Sequence, residues 1–136
     1  MERVGRKTDW RAALSVHVKS QTHRPAKIGS HDNFTFVSGC IGAITGVDPA
    51  RGLRGKYRSE AKARELFEAM GYLDHIDYLT ANMEEVPMAY SQAGDLAIFT
   101  AERLAGIISG GQIYMMTDRV QRVPLVSASK FYRVMI

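Results

Sequence analysis

From Ser30 to Gly46 the chain reads SHDNFTFVSGCIGAITG, in which Phe34, Val37, Ile41 and Ile44 recur at intervals of three and four. Phe36 and Cys40 widen that stripe, and Thr35, Gly39, Gly42 and Ala43 add a ridge of small residues. An apolar face beside a small-residue face predicts a helix enclosed on most sides. Each glycine within a helix costs about 1 kcal/mol relative to alanine, so this pair implies close approach by another backbone, expected to be a sheet. Asp32 is placed to cap the first turn and Gly46 to end the helix before the Val47-Asp48-Pro49 turn.

The same period predicts three further helices. One runs from an Asp9 cap to about Ser20, with Trp10, Ala13, Leu14 and Val18 inward and His17 on or near that face as a core histidine. A second spans Glu60 to Met70 between a Ser59 cap and Gly71, with Ala63, Leu66, Phe67 and Met70 inward. A third carries Leu73, Ile76, Leu79 and Met83, with Asp74, Asp77, Glu84 and Glu85 on its solvated face.

After Pro87 the pattern changes to short β-rich runs: Asp95 to Thr100, Leu104 to Ser109, Gln112 to Thr117, Arg119 to Pro124 and Phe131 to Ile136. Gly110-Gly111 between two of them signals a hairpin. Helices followed by strands predict one α+β domain over residues 1–136, with a helical part of about 8–85 and a β part of about 94–136. Its helices are expected on one face of a curled antiparallel sheet.

Composition narrows the function. With 136 residues, 46% of them hydrophobic, the chain is long enough for a core without disulfides or metals. Its apolar runs are too short to cross a bilayer, and Met1 to Trp10 lacks a secretory pattern, so synthesis in a cytoplasm is expected. The single cysteine, Cys40, excludes an internal disulfide and a thiolate zinc site, and no metal or cofactor is expected. The net charge of +4 draws partly on Arg51, Arg54, Lys56 and Arg58 in a glycine-rich loop. With no interleaved aromatic beyond Tyr57 and no nucleic-acid motif, that loop reads as solvated, which argues against nucleic acid as the partner.

Two segments carry a resemblance. The apolar helix introduced by Gly29-Ser30-His31-Asp32, and the later Gly94-Asp95-Leu96-Ala97-Ile98-Phe99, resemble the NlpC-type cell-wall peptidases of papain-like fold. With the Thr45 to Pro49 turn and the Leu53-Arg54-Gly55-Lys56-Tyr57-Arg58 loop, they are more similar to NlpC-like proteins encoded in tail-gene clusters of long-tailed bacteriophages. The resemblance covers about Trp10 to Val134.

It implies a papain-like fold in which a cysteine opens the central helix and a histidine starts a later strand. This chain departs at both places. Asn33 stands where the cysteine would, and alignment of Ala105-Gly106-Ile107 with the family's Val-Gly-Ile puts Leu104 where the histidine would stand. An amide offers no nucleophile comparable to a thiolate. Cys40 lies seven residues on, roughly 10 Å down the axis and out of reach.

The resemblance therefore implies a non-enzymatic, structural component of a phage tail tip or baseplate, located in the virion. His31, Asp32, Asn33 and Leu104 would mark its vestigial site, with His31 and Asp32 orienting the helix entrance. The alternative is an active peptidoglycan peptidase assisting DNA entry. Other tail proteins would be its partners, and no small-molecule ligand is expected. Candidate contact residues are Arg51, Arg54, Lys56 and Arg58 in the loop, Tyr114 and Met115 in a strand, and Phe131 and Tyr132 in the final run.

Overall fold

The computed structural model describes residues 5–134, so Met135 and Ile136 of the last predicted run lie outside the described residues. Four helices come first: α1 (Trp10–Gln21), α2 (Asn33–Thr45), α3 (Glu60–Ala69) and α4 (His75–Thr80). Six strands follow: β1 (Glu84–Val86), β2 (Leu96–Phe99), β3 (Leu104–Ser109), β4 (Gln112–Met116), β5 (Val120–Pro124) and β6 (Lys130–Arg133). They form one antiparallel sheet in the order β1-β6-β2-β3-β4-β5. The α+β architecture expected from the sequence is the one observed.

Helix α2 is the hub. It packs against α1 on one side and β3 and β4 on the other, burying Phe34, Phe36, Val37, Cys40, Ile41 and Ile44. Gly46 closes it in the left-handed conformation at φ 85°. The helix glycines do not face the sheet as expected. A Cβ on Gly39 would lie 2.5 Å from the His17 ring of α1, and one on Gly42 would lie 3.3 Å from Asp48 Cβ. The small-residue ridge is a notch for a histidine and a turn, because β3 and β4 already cover the opposite face.

Alternation along the strands builds two cores. Leu96, Ile98, Ala105, Ile107 and Met116 face the helices, whereas Ala97, Phe99, Ile108, Ile113, Met115 and Phe131 form a second cluster. Val86 from β1 and Val123 from β5, at opposite edges of the sheet, both pack on this second cluster. The second cluster therefore runs across the whole width of the sheet. In the hairpin between β3 and β4, Gly110 and Gly111 have φ of 59° and 78°, as a tight primed turn requires.

Other local expectations fail as well, and Met70 and Leu73, expected inward, are exposed. Asp9 occupies the position before α1 but its side chain caps nothing. The third predicted helix stops at Thr80, and Glu84 and Glu85 belong to β1, which pairs with Arg133 and Tyr132 of β6. A partner from fifty residues downstream overrides the local period.

The first and last described segments meet at Asp95. This fully buried carboxylate accepts from Arg6 Nη2 at 3.0 Å, Arg133 Nε at 2.9 Å and the Gln92 amide at 2.8 Å. Arg6 also donates to the carbonyls of Ala93 and Val134.

Candidate functional site

A cleft of about 460 Å³ opens at the N-terminus of α2, between α3, α4 and the ends of β3 and β4. Asp32 prepares that terminus. Its Oδ1 accepts from the Thr35 amide at 2.9 Å while the Thr35 hydroxyl accepts from the Asp32 amide at 2.9 Å, a reciprocal capping box. Its Oδ2 accepts from the Gly29 amide at 2.9 Å and the Tyr57 hydroxyl at 2.7 Å. Burial, then the hydrogen bond to Asp32, pushes the Tyr57 hydroxyl up, so it stays a donor. Gly29 sits at φ 93° against the Tyr57 carbonyl, where a Cβ would collide.

Asn33 follows as the first helical residue, and its amide is fully used. Nδ2 donates to Ala105 O at 3.0 Å and Met116 O at 2.8 Å, and Oδ1 accepts from the Ala105 amide at 2.8 Å. The registered pairs of β3 and β4 end at Gly106 with Met115, so Ala105 and Met116 would form the next rung. The Asn33 side chain fills that rung, continuing the ladder from the helix.

The remaining lone pair of Oδ1 faces His75 Nε2 at 3.0 Å. Two carbonyls fix which end of the amide is NH₂, so Oδ1 is an acceptor and Nε2 must carry the ring proton. Nδ1 is left as an acceptor, and among the described residues it has no hydrogen-bond partner and is not enclosed. Burial lowers the imidazole, outweighing the carboxylates of Asp74 and Asp32, so His75 is neutral at pH 7.

Asp74 caps α4 through the Asp77 amide at 3.0 Å and binds Arg103 through two contacts of 2.7 and 2.8 Å. Burial would raise this carboxyl, but the Arg103 hydrogen bonds and the Asp77 amide hold it below the usual range. Arg103 adopts φ 55°, uncommon for a side chain of its size, on the turn that leads into β3. The clamp ties α4 to that turn and thereby sets where His75 stands.

Of the four residues expected at a vestigial site, Asp32, Asn33 and Leu104 line the cleft. His31 does not. It is buried with Nε2 3.1 Å from Gln21 O, where it ties the end of α1 to the approach to α2. The imidazole at the helix mouth comes from His75, to which no spacing along the chain assigned a role. Asp74, read from the sequence as part of a solvated face, is the cap of this helix, and no local signal shows that the helix start meets Asn33 across 42 residues.

The expected contact residues divide in the same way. Arg51, Arg54, Lys56 and Arg58 are all exposed, and Arg54 is in addition held by Asp48 Oδ2 at 3.0 Å and donates to Thr35 O. Met115 and Phe131 are buried in the second cluster and offer no surface. Strand alternation turns them inward. Tyr114 and Tyr132 are half-buried against the main core. Cys40 is fully buried, and burial pushes its thiol far above the usual range. Among the described residues no cluster of histidine, cysteine and carboxylates is arranged for a metal.

Residues 5–134 match a family described as Domain of unknown function (DUF6950). Comparison with curated proteins gives no match.

Proposed function

We propose, for a chain that belongs to the DUF6950 family over nearly its whole length, a structural, non-catalytic role as a component of a long-tailed phage tail tip or baseplate. In this reading the fold is a degenerate papain-like one of the NlpC type. The resemblance of the Gly29 to Asp32 and Gly94 to Phe99 segments supports the biology. The order of elements, a central helix packed on an antiparallel sheet, is compatible with it.

One observation carries the non-catalytic part. Where a thiolate would open α2, the Asn33 amide gives all its hydrogen-bonding capacity to Ala105, Met116 and His75. Nucleophilic chemistry needs a free, activated group at that point, and this residue has become a strut between helix and sheet. Cys40 cannot replace it from the closed core.

Two measurements test the reading. Purified protein incubated with peptidoglycan fragments is expected to release no products, and cleavage abolished by Asn33→Ala or His75→Ala would return the peptidase alternative. The protein is also expected to co-purify with assembled tails, and its absence from particles would remove the tail assignment.

A further inference from the structure

The cleft is an acidic spot on a basic protein. The chain carries a net charge of +4, yet the cleft is lined by four carboxylates, Asp32, Glu60, Asp74 and Glu102, against two guanidinium groups, Arg64 and Arg103. Arg103 is committed to Asp74. Among the described residues, Glu60 and Glu102 have no ion-pair partner. Asp32 already fills the helix terminus, so that end cannot attract an anion as a bare N-terminus would.

At the floor, Asn33 holds His75 in the tautomer that leaves Nδ1 as an acceptor. An acceptor nitrogen selects a ligand that donates. Phe34 and Phe67 are buried behind the wall, and the apolar surface that the cleft offers comes from Ile28, Ala63 and Leu104. A volume of about 460 Å³ falls in the range of small-ligand pockets and admits a small amine with room to spare.

We propose that this cleft binds a protonated amine, which donates to His75 Nδ1, is balanced by Glu60 and Glu102 at the rim, and rests its carbon body on Ile28, Ala63 and Leu104. This departs from the sequence-based expectation of no small ligand. It does not depend on the tail assignment, because it uses only the cleft. The same chemistry is offered by a free small amine, the amino terminus of a polypeptide or a lysine side chain of a neighbouring subunit.

The test follows the His75 ring nitrogens by NMR as full-length protein is titrated with benzylamine, benzyl alcohol and benzoate. Saturable shifts with benzylamine, at an affinity at least about tenfold above the other two, are expected. Phenylalaninamide and Nα-acetyl-lysine amide represent the polypeptide sources, and the tightest of the three amines names the source. The double variant Glu60→Gln with Glu102→Gln is expected to weaken amine binding by about tenfold, and both side chains are exposed and outside the packing. The absence of a saturable shift with all three amines would overturn the proposal. So would equal binding of benzyl alcohol or benzoate, or unchanged affinity in the folded double variant.

Discussion

His75 Nε2 stands 3.0 Å from Asn33 Oδ1, and this contact joins α4 to a helix mouth already bonded to two strands. Asn33 is thereby the meeting point of α2, α4, β3 and β4. Replacement by alanine leaves the Ala105 amide and the carbonyls of Ala105 and Met116 without their partner. Unsatisfied buried groups cost about 1–3 kcal/mol each, with partial relief from water, so Asn33→Ala is expected to lose about 3 kcal/mol in urea denaturation. Asn33→Asp should lose more, because a carboxylate would face two carbonyls with nothing to donate. A loss below about 0.5 kcal/mol for both variants would show that the rung is dispensable.

Acid should destabilise the fold through three histidines. Burial lowers His17, His31 and His75 from the ordinary imidazole value of 6.5. The folded form therefore binds protons less readily than the unfolded chain. Their contribution to stability is complete above pH 6.5 and is lost as pH falls below it. Tm is expected to be flat from pH 8 to 7 and to drop progressively between pH 6.5 and 5. Replacing His17, whose Nε2 is buried without a partner, with glutamine should flatten part of that drop.

The two helix glycines should behave differently when changed to alanine. Both gain about 1 kcal/mol of helix propensity. At Gly39 the new methyl meets the His17 ring at 2.5 Å, so the overlap should outweigh the gain and destabilise by about 1–3 kcal/mol. At Gly42 the nearest atom is Asp48 Cβ at 3.3 Å, on a turn that can shift by a few tenths of an ångström, and the net change should lie near zero. Thermal melts of the two variants in which Gly42→Ala lost more would refute this ordering.

Asp95→Ala should be among the costliest single changes. It removes the buried acceptor shared by Arg6, Arg133 and Gln92. Breaking a buried pair typically costs about 3–5 kcal/mol, because the remaining charges keep their burial and lose their partner. Chemical denaturation is the measurement. A variant that lost less than about 1 kcal/mol would show that water replaces the carboxylate there.

The elements legible in the sequence are those whose signal is local. The caps at Asp32 and Ser59, the stop at Gly46, the apolar period of α2 and the Gly110-Gly111 hairpin each lie within a few residues of what they specify. Strand β1 was hidden because Glu84-Glu85-Val86 has no β pattern of its own and exists through pairing with β6. The packing of Gly39 on His17 was hidden for a related reason: a ridge of small residues reports that something approaches, not what. At the site, Asp32 and Asn33 were found from the helix start, whereas His75 required the tertiary fold to bring it there. Burial of Met115 and Phe131 follows from a second core on the far side of the sheet, which no single strand's pattern reveals.

Arg6 grips the backbone beside Val134 as well as Asp95, so the first and last described residues sit side by side. Loss of the Arg6 guanidinium would therefore free the first and last described segments from each other and from the start of β2 in a single step, and a cross-link between those two segments would stand in for it.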